Sequence, residues 1–137
     1  MMKFYIYLFQ KKAQPMYKKA MDEYLKRLQA YANVSIKYIK NEKQMKKYEK
    51  EAQNVFYIVP GKESLTSPAF ADRIQKMSVQ GISVITFFIG DFIDNEKPEG
   101  TLFHLSSFSM NYSLTAVVLL EQIYRAYRII NHQPYHK

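Results

Sequence analysis

The chain has 137 residues, 47% of them hydrophobic and 23% charged, a balance that suits a single domain, residues 1–137, with one continuous core. It contains no cysteine, which excludes disulfides and thiolate metal sites, and no apolar run reaches membrane-spanning length. The formal net charge of +8 favours a polyanionic partner, chiefly nucleic acid or an acidic membrane surface.

Lys3–Phe9 is rich in aromatic and β-branched residues and predicts a buried strand. The N-terminal stretch Met1–Gln10 is short, and no small-residue cleavage site follows it. It reads as that strand and not as a signal peptide, so a cytoplasmic location is expected. Pro15 stands where a first helical turn tolerates it, and Met21, Tyr24, Leu25 and Leu28 then recur at helical spacing within Met16–Tyr31. Val34–Ile39 alternates as a second strand. Asn41 predicts an N-cap for a helix over Glu42–Ala52, with Lys43, Lys46, Lys47 and Lys50 exposed. Val55–Val59 forms a third strand, ended by Pro60-Gly61.

Ser67-Pro68 reads as an N-cap with proline in the first turn of a helix running to about Ser78, before Gly81. Ile82–Ile89 is the most apolar strand and has no charge, as expected of a strand covered on both faces. After Gly90 comes a polar loop, Asp91–Gly100, then a short fifth strand, Thr101–Leu105. The strongest helix, Asn111–Ile130, and a polar tail, Asn131–Lys137, complete the chain. This alternation implies an open, mostly parallel α/β sheet with helices on both faces.

Ligands of open α/β sheets bind beyond the carboxyl ends of the strands. Here those ends are Val59-Pro60-Gly61-Lys62, Ile89-Gly90-Asp91 and Leu105–Met110. Glycines at two of them either make turns or admit a ligand close to the backbone. No GxGxxG or GxxxxGK[ST] pattern is present, so neither a Rossmann dinucleotide site nor a P-loop is supported. Ser64, Ser67, Ser106, Ser107 and Ser109 lack a nucleophile elbow. The three histidines, His104, His132 and His136, do not suggest a zinc site, so no metal is expected. In Glu121–Lys137, Glu121, Arg125 and Arg128 share a helix face flanked by Tyr124 and Tyr127. Such a face either contacts phosphates and unpaired bases or is simply solvated.

These residues also carry a resemblance. The ending EQIYRA followed by PYHK is similar to that of the ribosomal RNA large subunit methyltransferase H family, of the SPOUT class. The start MKFYIYLF, the positions Tyr17, Tyr24 and Lys26-Arg27, the segment Val59-Pro60-Gly61-Lys62 with Leu65-Thr66-Ser67 and Phe70-Ala71, and Phe87-Phe88-Ile89-Gly90 extend it along the chain. The resemblance implies a C-terminal trefoil knot, a homodimer, and methyl transfer from S-adenosylmethionine to N3 of a pseudouridine in helix 69 of 23S ribosomal RNA. It places Tyr57, Gly90, Asp91, Leu105, Ser106, Ser107, Phe108, Ser109 and Met110 at the cofactor, and Arg125, Tyr135, His136 and Lys137 at the reaction. Lys11, Lys12, Lys18, Lys19, Lys43, Lys46 and Lys47 become candidate phosphate contacts on the ribosome. The apolar helix Leu114–Ile130 suggests a two-fold interface.

The chain departs from the family pattern mainly around the cofactor. Gly90-Asp91 replaces Gly-Gly, Phe108-Ser109 replaces Met-Thr, Asn111-Tyr112 replaces Pro-His, Ala116 replaces an arginine, and Tyr57 replaces a leucine. Asp91 either attracts the positive charge of the cofactor or fills the space that a second glycine leaves open. The alternative function is therefore a non-catalytic RNA- or ribosome-binding relative that has lost the cofactor.

Overall fold

The computed structural model describes residues 1–10, 12, 14–62, 65–90, 101–106 and 110–134. Five strands, β1 (Lys3–Leu8), β2 (Asn33–Tyr38), β3 (Val55–Ile58), β4 (Val84–Ile89) and β5 (Thr101–Phe103), alternate with four helices, α1 (Pro15–Leu28), α2 (Glu42–Glu51), α3 (Ser67–Val79) and α4 (Tyr112–Ile130). The strands form one sheet in the order β2-β1-β4-β3-β5, and every pairing is parallel. The expected α/β class, with helices on both faces, is what the fold shows. The expected trefoil knot rests on residues 91–100 and 107–109, outside the described residues.

Period-two alternation sorts the strand side chains. Phe4, Ile6, Leu8, Phe56, Ile58, Ile85, Phe87 and Ile89 share the larger core with Met21 and Leu28 of α1, Phe70 and Ile74 of α3, and Leu119 and Ile123 of α4. Tyr7, Tyr57 and Phe88 point the other way, against Met45 of α2. Three helices thus cover one face and one helix covers the other. Tyr7 stacks between Tyr48 and Phe88, with centroids 4.7 and 5.1 Å away, so stacked aromatic rings fill much of this face. The lysines at 43, 46, 47 and 50 are exposed, as the pattern predicts.

Most element ends shift by one to three residues from the sequence reading, and two of the shifts have clear local reasons. The N-cap of α3 is Thr66 and not Ser67: its hydroxyl accepts from the Ala69 amide at 3.2 Å. Ser67 enters the helix, and its hydroxyl donates instead to Gln122 of α4 at 2.7 Å. Strand β4 starts at Val84 because Ile82 still donates to the Met77 carbonyl at the end of α3, after Gly81 turns the chain at φ +90°.

Tyr127 of α4 meets Phe4 edge-on at 6.2 Å, and burial pushes its phenol from 10.0 up to about 12. A raised phenol in the fold means that the contribution of the neutral form is complete below the unfolded value and is lost as pH climbs through the folded value. Thermal melts of the wild type are therefore expected to fall steeply from pH 10 to about 12. Tyr127→Phe should flatten that fall. An alkaline limb unchanged in Tyr127→Phe would place the sensitivity elsewhere, for instance at Tyr7 or Tyr38, whose phenols burial also raises.

Candidate functional site

The parallel sheet gathers the ends of β1, β4, β3 and β5 on one edge. Phe9 there donates to the Ile89 carbonyl at 2.9 Å, just before the buried Gly90. Past the β3–β5 ladder, Val59 donates to Phe103 at 3.0 Å and Gly61 to Ser106 at 3.1 Å. The segment Val59–Gly61 thus runs alongside His104–Ser106. Leu105, Ser106 and Met110 are half-buried. Asn111 caps α4 on this same edge, accepting from the Leu114 amide at 2.8 Å. Gln10, at the end of β1, donates to the buried Ser113 hydroxyl at 2.7 Å. These contacts place Gly90, Leu105, Ser106 and Met110 at the strand ends, where the sequence reading expected a ligand.

Tyr57 lies one residue before the end of β3. Its ring is 1% exposed, stacks on Phe88 at 5.5 Å, and its hydroxyl donates to Glu49 of α2. Asp91, Ser107, Phe108 and Ser109 lie outside the described residues. Two described cavities, of about 380 and 460 Å³, open toward the amino ends of the strands, and neither is lined by Gly61, Gly90 or His104.

Arg125 sits far from this edge. Helix α4 runs antiparallel to the strands: its start is tied to the end of β1 by Gln10–Ser113, and its last turns pack on Phe4 near the beginning of β1. Arg125 lies thirteen residues after Tyr112, about 20 Å along the axis at 1.5 Å per residue. Its guanidinium pairs with Glu121 at 2.5 Å, with both side chains more than three-quarters buried. Glu121 also accepts from Gln122 at 2.7 Å, which in turn accepts from Ser67. A polar chain therefore links α3 to the Arg125 pair.

The tail is aimed by the end of α4. His132 adopts φ 53°, its amide donates to Ile129 at 3.0 Å, and Gln133 donates to Arg128 at 2.7 Å. That pair of bonds is a Schellman stop, with histidine where glycine is usual. Arg128 then holds the Pro134 carbonyl at 2.8 Å, and Tyr31 donates to Gln133 at 2.6 Å. The root of the tail is thus anchored beside the amino ends of the strands. Tyr135, His136 and Lys137 lie outside the described residues. Of the candidate phosphate contacts, Lys18 is paired with Asp22 at 2.9 Å on an exposed face. Lys12, Lys19, Lys43, Lys46 and Lys47 are exposed.

One residue at the strand ends was not foreseen. His104 follows β5, and its Nδ1 lies 2.8 Å from the Val59 carbonyl oxygen. The sequence placed it inside the fifth strand, Thr101–Leu105, with no sign of the contact across 45 residues.

Comparison with known proteins agrees with this geometry. The family model described as "Predicted SPOUT methyltransferase" matches residues 2–136. The chain is 32% identical over 136 residues to ribosomal RNA large subunit methyltransferase H 1 of Thermoanaerobacter sp., covering 99% of this chain and 100% of that protein. It is 33% identical to ribosomal RNA large subunit methyltransferase H of Halothermothrix orenii, over 84% of this chain and 87% of the relative. The protein of the same name from Lactobacillus acidophilus is also 33% identical, over 88% and 91%. A match across nearly the whole chain, on a parallel α/β sheet, shows that the chain belongs to the SPOUT methyltransferase family.

Proposed function

We propose that this protein methylates N3 of a pseudouridine in helix 69 of 23S ribosomal RNA, using S-adenosylmethionine, and that it works in the cytoplasm as a homodimer on the ribosome. The relatives' names supply the ribosomal RNA. The formal charge of +8 suits phosphate contact and steering toward it. The observation that carries the reading is the separation of two residue sets. The strand-end residues Gly90, Leu105, Ser106 and Met110 stand at one end of the domain, and Arg125 and the tail root stand toward the other.

The strand ends fit an adenosyl ligand. Leu105 and Met110 are half-buried apolar side chains suited to the faces of an adenine ring, and the glycine at position 90 ends the central strand without a side chain. When bound, S-adenosylmethionine supplies an electrophilic methyl group on a sulfonium. The chain's own residues must then align the target nitrogen and take its proton. His136 is the proton acceptor in this reading, since an imidazole titrates near neutrality. Arg125 is a donor to the anion that develops on the base, and its pairing with Glu121 holds the guanidinium in one orientation. Tyr135 and Lys137 position the nucleotide.

A single copy does not bring these sets together, because α4 alone spans about 28 Å at 1.5 Å per residue. A two-fold partner does, its tail meeting the strand ends of the first copy. Leu114 and Val118 of α4 are half-buried and stand outside both core clusters, which gives the interface an apolar start.

Mass spectrometry of 23S ribosomal RNA from cells with and without the gene tests the reading. The expected result is loss of one methyl group from a helix 69 pseudouridine in the deletion strain, restored by the wild-type gene. An unchanged modification pattern, with ribosome binding but no calorimetric signal for S-adenosylmethionine, would assign the chain to the binding-only alternative.

A further inference from the structure

The β3–β5 ladder ends at Ile58 and Phe103, yet the two segments stay joined beyond it. Between the bonds Val59–Phe103 and Gly61–Ser106, His104 adds a third, Nδ1 to the Val59 carbonyl at 2.8 Å. A carbonyl only accepts, so Nδ1 carries the hydrogen. The ring occupies the space that a side chain at position 61 would take. A Cβ added to Gly61 would lie 2.3 Å from Nδ1 and 2.5 Å from Cγ and Cε1. Gly61 has no positive φ, so its backbone angle does not demand glycine. The imidazole against it does.

We propose that His104 is a positioning residue for the methyl donor. With Gly61 it forms a lock that holds Val59–Gly61 at a fixed distance from Leu105-Ser106. An adenosyl ligand then enters a formed cleft and does not have to order two loops on arrival. This inference rests on the methyl-donor reading above. Sequence spacing of the histidines gave no sign of it, because the partner is a carbonyl 45 residues away.

The test separates the hydrogen bond from mere filling of space. In His104→Phe a ring remains and the donor is lost. In His104→Asn the amide nitrogen stands close to where Nδ1 stood, and the donor remains. Gly61→Ala displaces the ring. Dissociation constants for S-adenosylmethionine and S-adenosylhomocysteine would be measured by calorimetry, beside thermal melts and steady-state methylation of ribosomes. Expected are an increase of about tenfold in the dissociation constant and in the KM for S-adenosylmethionine for His104→Phe, His104→Ala and Gly61→Ala. The KM for RNA should stay within about twofold, and His104→Asn should restore most of the affinity. The double variant Gly61→Ala, His104→Ala should be no worse than His104→Ala, since both changes disable one device. Wild-type affinity in His104→Phe would overturn the lock while leaving the methyltransferase reading intact, as would a His104→Asn variant as weak as His104→Ala. Failure of the wild type to bind either compound would sink both together.

Discussion

A mixture of two inactive variants is expected to recover about one quarter of wild-type methylation. The first variant ends at Pro134 and lacks Tyr135, His136 and Lys137. The second carries Met110→Trp, which places a large ring at the half-buried position 110 beside the strand ends. Each alone should lose about 100-fold in rate, the scale of loss when a reacting group is missing or misplaced. On the dimer proposed above, a mixed pair would set the unblocked strand ends of the truncated copy against the intact tail of the other, so one of two sites would be complete. Random exchange puts half of all dimers in the mixed form, which leaves one quarter of the sites working. Purification through two different tags should raise that to about one half. Variants that remain folded and dimeric, yet show no recovery on mixing, would place the whole reaction within one chain. The geometry gives the experiment its force. Gly90 and Leu105 follow the carboxyl ends of their strands, whereas Arg128 and Tyr31 fasten the tail root beside the amino ends.

Most of the architecture was readable because its signals are local. The alternation in Lys3–Leu8 and Val84–Ile89, the side chain of Asn41 bonding to the Gln44 amide at 2.9 Å, and the long apolar period of α4 each act over a few residues. The order β2-β1-β4-β3-β5 was not readable, because the pairing of β1 with β4 joins residues some eighty positions apart. The strand-end residues were legible in two ways. Parallel topology alone points to Gly61, Gly90 and the stretch Leu105–Met110, whereas Tyr57 came from family resemblance. Periodicity placed Tyr57 in an apolar strand without saying which face it took. Only the packing of α2 shows its ring buried on Phe88 with its hydroxyl on Glu49. His104 was missed for the same reason as the strand order: its meaning lies in a contact that no local pattern encodes. The shared face of Glu121, Arg125 and Arg128 also divides in three dimensions. Arg125 turns to Glu121, while Arg128 turns to Tyr31 and the tail.

Phe87→Ala should cost about 3–5 kcal/mol, the usual range for removing a buried aromatic ring, and lower the melting temperature by roughly 10–20 °C for a domain of this size. Phe87 is 2% exposed. Its ring lies 6.3 Å from Phe4, 5.6 Å from Phe56 and 6.1 Å from Phe103, so it joins β1, β3 and β5 through one side chain. Phe87→Leu, which keeps most of the volume, should cost about 1 kcal/mol. The loss in Phe87→Ala should not spread evenly. Strand β5 has three residues, and only Phe103 among them is buried, with Thr101 and Leu102 exposed. Its hold on the sheet therefore depends on the cluster that Phe87 centres. His104 comes next in the chain, so loosening β5 should also release the lock on Gly61. Hydrogen exchange should accordingly accelerate first at the amides of Val59 and Gly61, which donate to Phe103 and Ser106, and later at β1 and β4. Exchange that quickens to the same degree in every strand would show that β5 is no weaker than the rest of the sheet. In that case the carboxyl edge of the sheet would draw its rigidity from the whole core and not from this one aromatic contact.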